Sequence, residues 1–187
     1  LMKKMGEIIF DERFSLIDDP RYADAMMYHD FDNEGMTQNT VSLFENGTYK
    51  SVFHNSKTAS ELGVENNNRA ARGARATIGT TSTNMIISSS ETQEENKLFE
   101  GNPIIEVFSI QGAHSGADAI SGNFSFGASG FLKHEGKITP VKGFTVSGNF
   151  YSMMKNIHSF GDKVHGNSGR TFFSPLIKFK SLHLSGA

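Results

Sequence analysis

Short runs of alternating apolar and polar residues, separated by turn-forming residues, recur along the chain and predict a fold made mainly of β-strands. The clearest local signal is Asn46-Gly47, which lies between two β-rich runs in residues 40–53 and predicts a tight hairpin, since both residues tolerate positive φ. Residues 5–17 predict one bent strand, or two short ones, ending at Asp18-Asp19-Pro20. Further strands are predicted at 85–87, 103–110, 123–126, 131–132, 144–146 and 172–186, with a turn at 134–137.

Three segments show patterns typical of short helices. Residues 56–62 predict a helix with Ser56 as the N-cap and Gly63 as the residue that ends it. Residues 91–99 carry their acidic side chains in the first half of the segment, and Gly101 follows two positions after its end. This pattern also predicts a helix. Residues 150–160 space their apolar side chains as a helix does, and the glycine-rich residues 161–170 after them predict a loop.

Residues 64–84 carry three arginines, Arg69, Arg72 and Arg75, at every third position. Such spacing is compatible with a strip that binds phosphate or nucleic acid. The arginines alternate with alanine and glycine rather than with aromatic residues, however. The pattern therefore favours a mobile surface loop, with the phosphate-binding strip as the alternative.

The composition agrees with a β-rich chain, because it has 16 phenylalanines, 19 glycines and only 4 prolines. Aromatic side chains fill half-buried pleated surfaces, and glycines serve turns and bulges. We therefore predict a mainly β (α+β) fold, an antiparallel β-sandwich or barrel-like domain with two or three short helices. A chain of 187 residues fits one domain or two small ones, and we predict a single domain over residues 1–187.

The charge and the cysteine count exclude several classes of function. The formal net charge is −2, so the chain has no global basic field for nucleic acid or a membrane. Neither a signal-peptide pattern nor an apolar run long enough to span a bilayer is present. The absence of cysteine excludes disulfides, thiolate zinc sites and a cysteine nucleophile, and agrees with a cytoplasmic location. Because the chain starts at Leu1 rather than at methionine, we expect it to be a fragment.

Residues 28–35, YHDFDNEG, collect a histidine, three carboxylates and a glycine, and so suggest a metal site. Counted from Asp30, the acids and Gly35 match the first half of a calcium-binding EF-hand loop. The twelfth position, which should be a bidentate acid, is Val41, and the flanks do not read as helices. The segment is instead predicted to be a structural turn, in which Asp32 and Glu34 accept backbone N–H bonds or line an interface and Gly35 supplies a special φ.

The sequence contains partial matches to three other catalytic or phosphate-binding motifs, and each lacks a residue that the motif requires. The pair His134-Glu135 lacks the second histidine of a zinc-peptidase helix and lies in a predicted turn. Residues 127–130 lack the G-x-S-x-G spacing of a serine hydrolase, and Gly136-Lys137 is not followed by the Ser or Thr of a phosphate loop. The seven histidines are scattered, so we predict no self-contained active site in this chain.

The chain nevertheless resembles the C-terminal domain of the TldD/PmbA family, also called modulator of DNA gyrase. Each landmark is weak alone, but their order along most of the chain is specific. The landmarks are Asp18-Asp19-Pro20, Phe31-Asp32-Asn33-Glu34-Gly35, Glu45-Asn46-Gly47, Lys57-Thr58-Ala59, Ser121-Gly122-Asn123-Phe124-Ser125, Gly130, Thr139-Pro140-Val141, Ser147-Gly148-Asn149, Gly161-Asp162 and Leu184-Ser185-Gly186.

The resemblance implies a relation to two-domain metallopeptidases whose zinc helix, H-E-x-x-x-H, lies in an N-terminal domain that this chain does not contain. In the TldD branch a further zinc ligand is a cysteine in a glycine-rich loop near the C-terminus. The corresponding residues 166–170 contain Ser168 and no sulfur, and serine is a poor zinc ligand. The chain thus resembles the PmbA/TldE branch, which implies a metal-free partner of a TldD-type zinc peptidase that trims unfolded peptides, including microcin precursors.

Three functions follow as expectations. The first is the C-terminal domain of a PmbA/TldE-like subunit that works with a TldD-like subunit or as a homo-oligomer, without nucleic acid or membrane. The second is a fragment of an active metallopeptidase whose zinc ligands lie in the missing domain, and the third is a stand-alone β-sandwich binding module. This chain alone is expected to carry no catalytic or metal-ligating residue and no cofactor. From loop position, the predicted substrate-facing residues are His114, Asn123, His165 and Ser168.

Overall fold

The computed structural model describes residues 4–101 and 103–186 and contains twelve strands and three short helices in that part of the chain. The strands are β1 (Phe14–Asp18), β2 (Val41–Glu45), β3 (Thr48–Tyr49), β4 (Ala70–Ala71), β5 (Gly79–Thr80), β6 (Met85–Ser89), β7 (Ile104–Gln111), β8 (Asn123–His134), β9 (Lys137–Asn149), β10 (Ile157–Gly166), β11 (Phe172–Phe179) and β12 (His183–Ser185). The helices are α1 (Ser56–Leu62), α2 (Glu95–Leu98) and α3 (Phe150–Lys155).

The chain groups into two compact units, one made of Leu1–Ser90 with Val164–Pro175 and the other of Glu91–Lys163 with Leu176–Ala187. The larger sheet has the strand order β10-β11-β6-β1-β2-β3, and β10 and β11 contribute residues to both units. The second unit contains a four-stranded sheet of order β12-β9-β8-β7. The mainly β fold with short helices is therefore confirmed. The larger sheet is mixed, because β11 runs parallel to β6 while β1 is antiparallel to β2 and β6.

The core of the first unit is an aromatic cluster that joins its N-terminal segment to the hairpin. Phe10 packs against Phe44 with the rings tilted by 33° and their centroids 4.6 Å apart, and it meets Phe14 edge-on at 5.7 Å. Tyr49 completes the cluster, with its ring 5.4 Å from that of Phe44. The hairpin turn is the predicted one, since Asn46 and Gly47 both have positive φ, at 48° and 72°. In the second unit, Ala128, Phe144 and Val146 form the core.

The helix predicted at residues 56–62 is confirmed, but its N-cap is Asn55 rather than Ser56. The Asn55 side chain accepts a hydrogen bond from the Thr58 backbone at 2.9 Å, and the Asn55 N–H donates to the Thr58 hydroxyl at 3.0 Å. This reciprocal pair is a capping box. The Ser56 hydroxyl instead donates to Glu34 at 2.7 Å. Gly63 ends the helix in the left-handed region, as predicted.

Several predicted segments differ in length from those in the structure, and the strands predicted at 85–87, 123–126, 131–132 and 144–146 are parts of the longer β6, β8 and β9. Of the predicted N-terminal strand, residues 5–17, only residues 14–17 belong to a strand, because Asp11 accepts the Phe14 N–H at 2.9 Å and closes a turn before it; Ile8 forms an isolated bridge to Thr48. The predicted helix at 91–99 contracts to α2. The predicted helix at 150–160 ends at Lys155, and the residues from Ile157 onward form β10 instead. That strand also takes up residues 161–166 of the predicted loop.

Candidate functional site

Asp32 is the centre of the turn in the YHDFDNEG segment, and its carboxylate is largely buried. One carboxylate oxygen accepts the backbone N–H groups of Glu34 and Met36, both at 2.9 Å. The other oxygen accepts the N–H of Ala70 at 3.2 Å and so attaches the turn to β4. Gly35 has a φ of 78°, a conformation that glycine adopts without strain. The carboxylate oxygens that a metal would use therefore already bind backbone donors.

Glu34 connects the same turn to α1. Its carboxylate accepts the Ser56 backbone N–H at 3.0 Å and the Ser56 hydroxyl at 2.7 Å. The first N–H groups of a helix have no partner within the helix, so an acceptor from another segment satisfies one of them. Asp30, by contrast, is exposed and pairs with Arg21 at 2.9 Å. The three acids of the segment thus have three different partners.

Arg69 lies inside the first unit, so the prediction of a surface loop at residues 64–84 was wrong at this position. Its side chain and that of Asp18 are both fully buried. The guanidinium donates to the Asp18 carboxylate at 2.5 Å and to four backbone carbonyls, those of Asp18, Asn39, Asn67 and Asn68. Since these acceptors occupy all five N–H donors, Arg69 has none left for a phosphate. Arg72 and Arg75 remain exposed.

Asp18 receives further hydrogen bonds, which complete the buried network. The Thr83 backbone N–H donates to its carboxylate at 2.7 Å, and the Thr83 hydroxyl donates at 3.0 Å. The Asp18 and Arg69 side chains therefore join β1 to two later segments of the chain. A buried ion pair of this kind is favourable only when its remaining donors and acceptors are also satisfied.

The glycine-rich turn after β10 contains Ser168 at its exposed tip, and His165 is exposed near the end of that strand. Asn167 builds the turn, because its side-chain oxygen accepts the N–H groups of Thr171 at 2.9 Å and Phe172 at 3.2 Å. Arg170 anchors it by donating to the Asp24 carbonyl at 2.6 Å. The predicted residues His165 and Ser168 thus lie close together in the first unit, His165 near the end of β10 and Ser168 in the turn that follows it.

The other two predicted residues, His114 and Asn123, belong to the second unit and flank a loop that Asp118 organises. The Asp118 carboxylate accepts the N–H groups of Ile120 at 2.8 Å and Ser121 at 3.2 Å, while its own N–H donates to the Asn123 carbonyl at 2.9 Å. His114 is exposed, and the Asn123 side chain accepts a hydrogen bond from Asn149 at 2.9 Å. The substrate-facing role of all four residues stays a prediction.

The loop around Asp118 should loosen in acid. The backbone N–H of Ile120 first, and then that of Ser121, lower the pKa of the Asp118 carboxyl below 3.8. A depressed folded-state pKa means that the ordering effect is fully present above the unfolded pKa and is lost as the pH falls through the folded one. We expect the amide NMR shifts of Ile120 and Ser121 to titrate with a midpoint below 3.8, and the Asp118→Asn variant to lose this titration. A midpoint at or above 3.8 would contradict the assignment.

Replacing Asp32 by alanine should destabilise the first unit, because three backbone N–H groups lose their acceptor. A buried donor left without a partner costs about 1–3 kcal/mol, so we expect a loss of about 2–4 kcal/mol in urea unfolding. Asp30→Ala is the matched control in the same segment. It removes an exposed ion pair and should change the free energy of unfolding by about 0.5 kcal/mol or less. Equal losses in the free energy of unfolding of the two variants would show that Asp32 has no special structural role.

Comparison with known proteins identifies the family. Residues 1–186 match the family model described as PmbA/TldA metallopeptidase C-terminal domain. The chain belongs to the TldD/PmbA family. The resemblance inferred from the ordered landmarks is thereby confirmed.

Proteins of archaea and bacteria show similar sequences. A metalloprotease of Methanothermobacter thermautotrophicus is 31% identical over 165 residues, which are 84% of this chain and 35% of the relative. Metalloprotease PmbA of Escherichia coli O157:H7 is 25% identical, over 90% of this chain and 35% of its own length. An uncharacterized protein of Methanocaldococcus jannaschii is 28% identical over 96% of this chain and 42% of its own length. The chain thus spans well under half the length of these relatives.

Solved structures of TldD/PmbA-family proteins share the fold. TldE from Thermococcus kodakarensis matches 98% of this chain with a TM-score of 0.85 and 27% identity, over 42% of its own length. A putative modulator of DNA gyrase from Thermotoga maritima matches 97% of this chain with a TM-score of 0.84 and 29% identity, over 41% of its own length.

For this family member the sequence patterns did not single out Asp118, and they did not predict the pairing of Asp18 with Arg69. Asp118 lies in a short polar loop and accepts the N–H groups of Ile120 and Ser121, two and three residues later in the chain. An Asp that binds the backbone just after it is a familiar turn signal. The pairing of Asp18 with Arg69 had no local signal, because 51 positions separate them.

Among residues 4–101 and 103–186, no helix is long and apolar enough to span a membrane.

Proposed function

We propose that this chain is the C-terminal part of a PmbA/TldE-like subunit that pairs with a TldD-type zinc peptidase and helps to enclose peptide substrates in the cytoplasm. The observation that carries the proposal is the family match over residues 1–186, supported by the fold shared with TldE. The role of the chain is to present well-supported loops and a partner surface. The proposed substrates are unfolded peptides, microcin precursors among them, and neither nucleic acid nor a membrane is a proposed partner.

The residues of this chain do not fit a zinc site. The sequence has no cysteine, and within the described ranges no group of three or more His, Asp or Glu side chains is placed to hold a metal ion. The carboxylates of the YHDFDNEG segment accept hydrogen bonds from backbone groups and from Arg21 instead. We therefore assign no step of peptide hydrolysis to this chain, and the zinc chemistry belongs to the TldD-type partner.

An exposed apolar segment supports the pairing. Between residues 26 and 36 five large apolar side chains are 47–65% exposed, namely Met26, Met27, Tyr28, Phe31 and Met36. Concentrated exposure of large apolar side chains marks interaction surfaces in water-soluble proteins. Met and aromatic residues are also enriched at protein interfaces. The buried network of Asp32 holds the backbone of this segment in place.

The experiment is to mix the full-length protein with a TldD-type partner and measure both complex formation and peptide cleavage. We expect a stable complex by size-exclusion chromatography and cleavage that neither protein shows alone. Met27→Ser/Phe31→Ser should weaken the complex at least tenfold, because it removes two of the exposed apolar side chains. Ile138→Ser, which changes a 61% exposed residue of the second unit, is the matched control and should leave the complex intact. Absence of any complex would contradict the proposal.

A second candidate function is an active metallopeptidase whose ligands lie outside this chain. The observation that favours it is that relatives 25–31% identical to this chain are named metalloproteases. Peptide cleavage by the full-length protein alone, abolished by a chelator and restored by zinc, would support this candidate over the first. Tight, specific ligand binding by the present chain without either activity would instead point to a stand-alone binding module.

A further inference from the structure

The second unit contains a cavity of about 590 Å³ whose walls come from three segments. Residues 147–149, at the end of β9, form one wall. A second wall comes from Ser152, Met153 and Asn156 of α3 and its C-terminal cap, and residues 180–183, which lead into β12, form the third. Cavities of roughly 300–1,000 Å³ hold small ligands in many proteins.

Hydrogen bonds fix the three walls to one another. His183 pairs with Ser147 in the antiparallel ladder between β12 and β9. The Asn149 side chain accepts the Ser152 N–H at 3.2 Å and so joins the first wall to α3. The Lys180 N–H donates to the Asn156 carbonyl at 3.2 Å and joins the third wall to the second. The cavity is therefore formed by the fold itself.

The cavity lining carries the positive charge of Lys180, although the formal charge of the whole chain is −2. Lys180 and His183 line the cavity, and no acidic side chain does. Within the described part of the chain, neither of these two side chains has a hydrogen-bond or ion-pair partner. A concave site lined by charge of one sign attracts ligands of the opposite sign.

We propose that this cavity binds a carboxylate group, supplied either by the C-terminal end of a short peptide or by a small organic acid. The Lys180 ammonium neutralises the carboxylate, and the hydroxyls of Ser152 and Ser181 lie on the same lining as hydrogen-bond donors. Met153 and Leu182 supply apolar surface for the side chain next to the carboxylate. A phosphate group is a poorer match, because its charge of about −1.5 to −2 at neutral pH exceeds the single positive charge that Lys180 supplies.

The peptide source rests on the proposed function, whereas the carboxylate site does not. Binding to the present chain requires neither a TldD-type partner nor peptide cleavage. Failure of the complex in the previous experiment would therefore leave this site unaffected. Failure of carboxylate binding would likewise leave the proposed pairing unaffected.

The test is a titration of the ¹⁵N-labelled 187-residue chain with trialanine, trialanine amide and acetate, followed by NMR. We expect trialanine to shift the amide signals of residues 147–156 and 180–183, and trialanine amide to bind at least tenfold more weakly. Lys180→Met should weaken trialanine binding about tenfold, since it removes the only lysine of the lining. Lys137→Met, at the other end of β9, is the matched control and should bind as the parent chain does.

The acetate titration distinguishes the two sources of the carboxylate. Acetate binding as tight as that of trialanine supports a small organic acid, and trialanine binding at least tenfold tighter supports a peptide end. Equal binding of trialanine and its amide would overturn the proposal. Equal weakening by Lys137→Met and Lys180→Met would also overturn it, because it would show that trialanine binding does not depend on the cavity.

Discussion

Arg69→Met is expected to lower the free energy of unfolding by about 3–5 kcal/mol, because it leaves the Asp18 carboxylate buried without its cationic partner. Methionine approaches arginine in length, so the loss reports the charge and the hydrogen bonds more than the volume. Four backbone carbonyls would lose their donor in the same variant. The measurement is urea unfolding followed by circular dichroism.

Two further variants separate the ion pair from general effects of the segment. Arg72→Met removes an exposed arginine three positions away and should change the free energy of unfolding by about 0.5 kcal/mol or less. Adding Asp18→Asn to Arg69→Met removes the unpaired charge, so the double variant should be more stable than Arg69→Met alone. Similar urea midpoints for Arg69→Met and Arg72→Met would contradict the structural role of the buried pair.

The sequence predicts well those turns and helices of this protein that depend only on residues close together in the chain. Asn46-Gly47 specifies its hairpin because positive φ at both positions is a property of the two residues themselves. The helix from Ser56 to Leu62 follows from a cap and a glycine that lie within nine positions of each other. The turn at Asp32 is of the same kind, since Glu34 and Met36 are its nearest donors.

The errors come from contacts between residues far apart in the chain. Arg69 looks like a surface residue in its own segment, and only Asp18, 51 positions away, explains why it is buried. Ile157 and Phe160 fit helical spacing after Met154, yet a buried strand accepts the same two apolar side chains. Local periodicity cannot distinguish these cases, because the partner strands and charges are set by the tertiary fold.

The landmarks that identified the family lie at positions with unusual structural demands. Asp18 carries the buried ion pair, and Thr58 completes the capping box of α1. Asn149 caps α3, and Gly122 has a φ of 76° with the Tyr151 ring where a side chain would begin. Each position accepts few residue types for a physical reason. The same demands explain why an ordered set of weak motifs could identify the fold while the substrate-facing residues stay a prediction.

Gly130→Ala is also expected to lower the free energy of unfolding strongly, because β7 lies too close to β8 for any side chain at this position. A Cβ on Gly130 would lie 2.0 Å from the Glu106 carbonyl oxygen and 3.0 Å from its carbon. Both atoms belong to the backbone of β7, so only a displacement of that strand relieves the overlap. Overpacking typically costs 1–3 kcal/mol, and we expect about 3 kcal/mol here, since no flexible side chain can move instead.

Gly127→Ala is the matched control in the same strand. Its Cβ would meet only the Gln111 side chain, at 3.8 Å, which is ordinary contact. We expect this variant to unfold within about 0.5 kcal/mol of the parent chain. Amide hydrogen exchange should show faster exchange along residues 104–111 in Gly130→Ala and unchanged exchange in Gly127→Ala. Equal stability and equal exchange in the two variants would show that β7 and β8 are not held at the distance that this pairing requires.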